Sequence, residues 1–214
     1  MLKTIFFDLG NVLVFFSHPQ MIRQIAACTG LDAVVVRKIL FEEGFQNRYE
    51  TGQIDTAQFF RIFQSKSPKL FSQADLAEAA SDIFTPNPPL YPIIEQLKNK
   101  GLRLILLSNT SECHFAKVKA HYPVLKLFDD FILSYEVGAL KPSETIFRKA
   151  LSSALCPAAS CFYTDDVPEF IQGARSAGLD GEVFTGVQSL TKALAARGLN
   201  FRNFSVRFPQ SFDF

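Results

Sequence analysis

The sequence predicts an α/β fold, a Rossmann-like, doubly wound parallel sheet into which a helical cap is inserted. Short apolar segments of strand length alternate with segments of helical period, which is typical of a parallel sheet covered by helices. One long stretch near the start of the chain has helical period alone and interrupts this alternation. At 214 residues and 48% hydrophobic, the chain is long enough to bury a core and to carry one insertion.

The predicted strands share one design, a short apolar run followed by polar residues. The runs are Lys3-Thr4-Ile5-Phe6-Phe7 before Asp8, Leu102 to Leu107 before Ser108-Asn109-Thr110, Phe131-Ile132-Leu133 leading towards Lys141, and Cys161-Phe162-Tyr163 before Asp165-Asp166. Continuous apolar runs of this length fit strands that are buried on both faces. Right-handed crossovers bring the carboxyl ends of such strands to one edge of the sheet, so we expect the polar residues to meet there.

Helices are predicted between these strands from apolar stripes of period 3.6. Leu90, Ile93, Ile94 and Leu97 form one stripe, which Gly101 closes, because glycine commonly ends a helix. A second helix follows Pro142-Ser143, and a third contains residues 190–194. Together with the four strands they predict the doubly wound arrangement.

The interrupting stretch predicts a four-helix cap over the edge of the sheet where the polar residues meet. Pro19 fits a first helical turn, while Asp32, Asp55 and Ser72 are candidate N-caps of the next three helices. We therefore divide the chain into a core of residues 1–15 and 85–214 and a cap of residues 16–84. The proline-rich segment 85–89 is expected to be the linker that returns the chain to the core.

Composition excludes several classes of function. The 22 Lys and Arg residues balance 21 Asp and Glu residues, so no net charge favours nucleic acid or a membrane as partner. The four cysteines have no metal-site or disulfide-scaffold spacing, which is typical of a reducing compartment. Asp8, Gly10 and Asn11 interrupt the apolar start, so it does not resemble a secretory signal. We expect a cytoplasmic protein; the sequence does not indicate an oligomeric state.

The polar residues predict phosphoryl transfer through a protein carboxylate. Such a reaction needs a nucleophile, a cation, donors for the phosphate oxygens and acids that hold the cation. Asp8 is the candidate nucleophile, and Lys141 can neutralise both Asp8 and the phosphate. Asp165 and Asp166 offer the hard oxygen ligands that Mg²⁺ prefers.

Candidate phosphate donors come from two of the same strand ends. The turn at Gly10-Asn11 can bring backbone N–H groups close to a phosphate. Ser108 and Asn109 offer a hydroxyl and an amide. A small phosphorylated metabolite is therefore the expected partner.

These segments, taken in order, resemble the four motifs of the haloacid dehalogenase superfamily. The matching segments are Phe7-Asp8-Leu9-Gly10-Asn11-Val12-Leu13, Leu107-Ser108-Asn109-Thr110, Gly138-Ala139-Leu140-Lys141-Pro142, and Phe162-Tyr163-Thr164-Asp165-Asp166 with Gly173-Ala174. The resemblance covers nearly the whole chain, including the place of the cap. The first motif is similar to that of bacterial glucose-1-phosphate phosphatases and of the phosphatase domain of epoxide hydrolases, and the cap segment 48–54 resembles a branch that contains sugar phosphatases.

The resemblance implies a two-step, Mg²⁺-dependent hydrolysis. Asp8 would attack phosphorus and form an aspartyl-phosphate, which water then cleaves. Ser108 and Asn109 would hold phosphate oxygens, and Lys141 would balance the charge of Asp8. The metal would be held by Asp8, the backbone carbonyl of Gly10, Asp166 as principal ligand, and Asp165.

Two residues depart from the family pattern. Gly10 stands where most family phosphatases carry a second Asp as general acid and base, a group that typically contributes ~10²–10⁴ in rate. This favours substrates with a good leaving group, such as sugar 1-phosphates. Phe170 replaces an Asn common in relatives, and Glu169 is a candidate substitute for its hydrogen bonds to the acidic loop.

Two other functions remain open from the sequence alone. A haloacid dehalogenase would use Asp8 on carbon, but such relatives lack an acidic pair like Asp165-Asp166. A catalytically weak member could instead bind a phosphorylated ligand or a partner protein, as Gly10, Phe170 and the phenylalanine-rich C-terminus suggest.

Some further side chains have no predicted part in the chemistry. His18, His114 and His121 are expected to be surface or cap residues, since their spacing does not indicate a metal site. Arg48 and Tyr49 are expected on a cap loop, with either a structural or a substrate-selecting role. The five phenylalanines at 201, 204, 208, 212 and 214 are expected to pack on the core.

Overall fold

The structure is a computed structural model that describes residues 1–201. Its centre is a five-stranded parallel sheet in the order β5-β4-β1-β6-β7. The strands are β1 (Thr4–Phe7), β4 (Arg103–Ser108), β5 (Asp130–Leu133), β6 (Cys161–Asp165) and β7 (Gly181–Val183). The four predicted strands are therefore present, and β7 is an additional edge strand.

Helices cover both faces of this sheet, as the doubly wound prediction requires. They are α6 (Tyr91–Asn99), α7 (Glu112–His121), α8 (Ser134–Val137), α9 (Glu144–Ser153), α10 (Pro168–Ser176) and α11 (Val187–Ala195). Along β1, Ile5 and Phe7 pack with α6, α7 and α11, whereas Phe6 packs with α9 and α10. Strands that are buried on both faces explain why their sequences are apolar without alternation.

The segment between β1 and α6 forms the predicted helical insertion, with its own core. Its helices are α1 (His18–Thr29), α2 (Ala33–Arg37), α3 (Phe45–Glu50), α4 (Thr56–Lys66) and α5 (Gln73–Ser81), and a π-helical turn (Lys38–Glu42) extends α2. The four expected helices are thus accompanied by a fifth, α3. Apolar side chains from these helices, such as Met21, Phe59 and Phe63, form a separate buried cluster.

The two ends of the insertion are joined by a short antiparallel pair of strands. β2 (Val14–Phe16) pairs with β3 (Phe84–Pro86), so that Phe16 lies opposite Phe84. The segment 85–89 is therefore not a plain linker, because its first two residues belong to β3 and residues 88–90 form a 3₁₀ turn. The division into a core of 1–15 and 85–214 and a cap of 16–84 stays a prediction.

Phe201 is partly buried against the core, as expected, whereas Phe204, Phe208, Phe212 and Phe214 lie outside the described residues. Within residues 1–201, every helix is too short or too polar to cross a bilayer.

Candidate active site

The candidate site lies at the carboxyl ends of three adjacent strands. Asp8 directly follows β1, Ser108 ends β4 and Asp165 ends β6. Lys141 reaches the same place from the loop between α8 and α9. The structure therefore brings together residues that are more than 150 positions apart in the sequence, because the central strand β1 is flanked by β4 and β6.

Lys141 is the electrostatic centre of the site. Its Nζ donates to Asp8 Oδ1 at 2.7 Å, to Asp165 Oδ2 at 2.6 Å and to the Leu107 carbonyl at 3.2 Å. Burial lowers the pKa of Lys141, but the two carboxylates outweigh burial and raise it above its usual value. Burial raises the pKa of Asp8 to about 7, against the opposing effect of the Lys141 charge.

Asn109 fixes the loop that carries this lysine. Its Oδ1 accepts from the backbone N–H of Lys141 at 2.8 Å, and its Nδ2 donates to the Lys141 carbonyl at 3.1 Å. Both ends of the side-chain amide are therefore used on the backbone of the residue that they position. A direct phosphate contact by Asn109 stays a prediction.

The acidic loop after β6 is held by bonds to each carboxylate. Asp165 accepts from the Val167 N–H at 2.9 Å and from the Tyr163 hydroxyl. Asp166 accepts from Asn11 Nδ2 at 2.9 Å. Asn11 has a φ of 53° and its own N–H donates to Val14 at 2.7 Å, which closes the turn after Asp8. Asn11 thus positions Asp166, and its predicted contact with phosphate remains untested.

Phe170, the second departure from the family pattern, packs beside the lysine. Its ring centroid lies 5.0 Å from Lys141 Nζ, a distance suited to a cation–π contact. Asn11 and the Val167 N–H orient the acidic loop. Glu169, the candidate substitute, lies instead along a groove with Pro142 and Gly173.

The carboxylates have the chemistry of a divalent metal site. Asp8, Asp165 and Asp166 each offer an oxygen within 4.8 Å of the others. When all three are ionised, these carboxylates and one lysine leave two negative charges uncompensated, and hard oxygen donors are the ligands that Mg²⁺ prefers. The residues therefore fit a divalent cation.

A cavity of about 220 Å³ opens onto this cluster. Ligand cavities for drug-sized molecules usually measure roughly 300–1,000 Å³, so this one suits a small ligand. Ser108 and Gly10 line it, and Ser108 is buried with its hydroxyl only weakly bonded, at 3.3 Å from the Asn109 carbonyl. The walls also contain side chains that sequence analysis did not assign to the site, namely Phe16, His18, Glu50, Phe84 and His114.

The expectation that the histidines are surface or cap residues was wrong for His114, which is buried on α7, whereas His18 begins α1 in the predicted cap, and both line the cavity. His114 is buried, its Nε2 lies 3.1 Å from the Ala80 carbonyl, and burial lowers its pKa to about 4. His18 lies between the rings of Phe16 and Phe41, and burial lowers its pKa as well. At pH 7, burial therefore favours the neutral form of both imidazole rings. Their spacing carried no signal, since helix packing brings them together.

Tyr49 has a structural position. It is 2% exposed, stacks on Phe59, lies 2.7 Å from the Thr56 hydroxyl and accepts from the Cys113 N–H at 3.3 Å. Arg48 lies over the ring of Phe45. The neighbouring Glu50 lines the cavity instead.

The chain is similar to known hydrolases and phosphatases. The family model described as haloacid dehalogenase-like hydrolase matches residues 2–178. The chain is 27% identical over 191 residues to a glyceraldehyde 3-phosphate phosphatase from Methanothermobacter thermautotrophicus, covering 84% of each. It is 28% identical over 93 residues to phosphatase MT3486 of Mycobacterium tuberculosis, covering 43% of each, so the match spans less than half of that relative.

A solved structure supports the fold. The enzyme bt-2542 of the same superfamily from Bacteroides thetaiotaomicron, in complex with magnesium and inorganic phosphate, superposes with a TM-score of 0.76 at 22% identity. The match covers 86% of this chain and 94% of that one. At this identity the likeness establishes the shared architecture.

Proposed function

Because this chain belongs to the haloacid dehalogenase-like hydrolase family, we propose that it is a Mg²⁺-dependent phosphatase that acts on a small phosphate monoester through Asp8. The observation that carries the proposal is the charge balance at the strand ends. Lys141 neutralises only part of the charge of Asp8, Asp165 and Asp166. A phosphate dianion would be repelled by this cluster unless a divalent cation were also bound.

The residues that would hold Mg²⁺ are Asp8, the Gly10 carbonyl, Asp166 and Asp165. When bound, the ion would screen the phosphate from the carboxylates. Asp165 Oδ2 and Oδ1 already accept from Lys141 and Val167, so Asp166 is the better candidate for a direct ligand. The magnesium named for bt-2542 is consistent with this assignment.

Asp8 is the proposed nucleophile because it is oriented by Lys141 and lines the cavity. Lys141 holds Oδ1, so we assign Oδ2 to the attack on phosphorus. The phosphoryl group passes to Asp8 and the leaving group departs as an alcohol. Water then cleaves the aspartyl-phosphate and restores the carboxylate.

Phosphate oxygens would be held by Ser108 and by backbone N–H groups near Gly10. Lys141 lies between the nucleophile and Asp165, so it can also stabilise charge on the transferred group. The cavity volume favours a short substrate, and the relative from Methanothermobacter is named for a small sugar phosphate. We therefore propose a small sugar phosphate or similar monoester as the substrate class.

Hydrolysis of p-nitrophenyl phosphate tests this function. The purified chain should turn over the ester with Mg²⁺, lose activity with EDTA and regain it when Mg²⁺ is restored. Asp8→Asn should remove activity, whereas the control Asp130→Asn, which removes the charge of a pair with Arg103 and keeps an oxygen to accept from the Phe131 N–H, should retain it. Activity that persists in Asp8→Asn would refute the proposal. Binding of Mg²⁺ and inorganic phosphate without turnover of a broad ester panel would support the ligand-binding alternative.

A further inference from the structure

Position 10 of this site carries no acid, although a poor leaving group needs a proton. The ring of Phe16 fills the space beside Gly10, since a Cβ at that position would lie 2.7 Å from Phe16 Cε1. Another titratable group that reaches the cavity can supply this proton.

Three titratable side chains line the cavity besides Lys141 and the metal-site carboxylates, namely His18, Glu50 and His114. His114 Nε2 is bonded to the Ala80 carbonyl, and burial holds its ring neutral. His18 is packed between two aromatic rings, and burial lowers its pKa, which disfavours the protonated form that a general acid needs. Glu50 is the remaining candidate.

We propose that Glu50, supplied by the end of α3, is the general acid and base for this site, in place of the acid missing at position 10. This inference rests on the proposed phosphatase function. The geometry supports it in three ways: Glu50 faces the same cavity as Asp8, its backbone is fixed to the sheet-bearing part of the chain, and its carboxyl group has a defined partner.

The backbone of Glu50 is held by a buried serine. Ser134 Oγ donates to the Glu50 carbonyl at 2.6 Å and accepts from the Thr110 N–H at 2.9 Å. The same hydroxyl thus joins Glu50 to the loop that follows Ser108. Ser134 is fully buried, so this connection is protected from water.

The residues on either side of Glu50 are also fixed. Tyr49 accepts from the Cys113 N–H. Gly52, two residues further along, has a φ of 67° and approaches α8 so closely that a Cβ at this position would overlap the Tyr135 carbonyl. A side chain held from both directions can be placed precisely enough for proton transfer, which depends on geometry before acidity.

The carboxyl group of Glu50 is held in turn by Gln46, whose Nε2 donates to Oε1 at 2.7 Å. Burial raises the pKa of Glu50, while the Gln46 bond and the Lys141 charge oppose that shift. A raised pKa increases the protonated fraction near neutral pH, which is the form that a general acid needs.

The proton balance of the two steps is complete. As the bond between Asp8 and phosphorus forms and the ester bond breaks, the Glu50 carboxylic acid gives its proton to the leaving oxygen, which departs as an alcohol. The Glu50 carboxylate then takes a proton from the water that attacks the aspartyl-phosphate. Inorganic phosphate leaves, and both carboxyl groups return to their starting states.

The test compares two esters of similar shape and different leaving-group basicity, phenyl phosphate and p-nitrophenyl phosphate. Glu50→Gln should lower kcat/KM for phenyl phosphate by about 10²-fold, and for p-nitrophenyl phosphate by no more than about threefold, because nitrophenolate departs without a proton. Retained nitrophenyl ester turnover also shows that the variant is folded. Glu50→Asp should recover part of the loss, and the exposed cap control Glu42→Gln should match the wild type.

Three outcomes would overturn the inference. Equal losses of kcat/KM on both esters would show a structural effect, because kcat/KM does not report the later hydrolysis step that the two esters share. A raised KM with unchanged kcat would make Glu50 a substrate contact. Unchanged turnover of both esters would exclude any role. A wild-type chain that cleaves neither ester with Mg²⁺ would refute the phosphatase function itself, together with this inference, and so is distinguishable from the other three.

Discussion

The ring of Phe16 lies against Gly10, with the place of a β-carbon at position 10 only 2.7 Å from Phe16 Cε1. Phe16 belongs to β2, which pairs with β3 at the base of the helical insertion. It also packs edge-on against His18. A side chain at position 10 and the present position of the Phe16 ring therefore exclude each other.

This contact predicts that substitutions at the two positions are not additive. Gly10→Ala should lower the free energy of unfolding by about 1–3 kcal/mol, because the added methyl group must displace the ring. In a Phe16→Ala background the same change should cost at least about 1 kcal/mol less. Urea unfolding of the four chains measures the cycle, and additive effects would show that the ring moves away freely.

Lys141→Met should damage both activity and stability. The substitution leaves two buried carboxylates unpaired, so we expect a loss of roughly 3–5 kcal/mol in the free energy of unfolding when EDTA is present. Turnover should fall by more than about 10²-fold, since an electrostatic stabiliser of the transferred group is lost. Lys149→Met, at an exposed position on α9, is the control. If Lys141→Met had the same free energy of unfolding as the wild type in EDTA, the stabilising role of the buried ion pairs would be contradicted.

Asn109→Ala separates positioning from phosphate binding. If Asn109 acts by holding the Lys141 backbone, kcat should fall by up to about 10²-fold, because small misplacements of a catalytic group are costly. KM should change little. Steady-state kinetics with p-nitrophenyl phosphate, with Asn99→Ala at the end of α6 as control, makes the measurement. A higher KM at unchanged kcat would instead favour the direct phosphate contact.

His114 should make stability depend on pH in the acid range. Its pKa in the folded chain is about 4, against about 6.5 when unfolded, so the unfolded chain binds the extra proton first as the pH falls. The contribution is fully present above pH 6.5 and is lost towards pH 4, by about 3 kcal/mol. Urea unfolding at pH 7 and at pH 4.5 measures this loss. The free energy of unfolding of His114→Gln should fall less between the two pH values than that of the wild type. The control is His121→Gln, because His121 is exposed on the same helix. If the free energy of unfolding fell equally with pH in the wild type and both variants, the assignment to His114 would be contradicted.

The sequence predicted the core well because its signals are local. β1, β4 and β6 are continuous apolar runs that end directly at Asp8, Ser108 and Asp165, so the strand ends and their polar residues could be identified together. β2 and β3 have only three residues each, and Pro86 obscured the second. α3 was missed because Phe45–Glu50 is too short to show a helical stripe.

The cavity walls could not be predicted in the same way. Phe16, His18 and Glu50 reach the site because the insertion packs above the sheet, and His114 because α7 carries it under α5. None of these positions has a distinctive spacing in the sequence. The nearest signal in the sequence was the segment around Arg48 and Tyr49, for which a substrate-selecting or a structural role was predicted. Tyr49 is buried and structural, and it is the next residue, Glu50, that faces the cavity.

The central claim is that Asp8 carries the phosphoryl group during turnover. The most direct measurement is to quench the enzyme with acid while it hydrolyses p-nitrophenyl phosphate with Mg²⁺, reduce it with borohydride and map the peptide containing Asp8 by mass spectrometry. The account predicts an acyl-phosphate at Asp8, recovered as the reduced alcohol, that disappears with EDTA or without substrate. An unmodified Asp8 together with reduction at another carboxylate would contradict it.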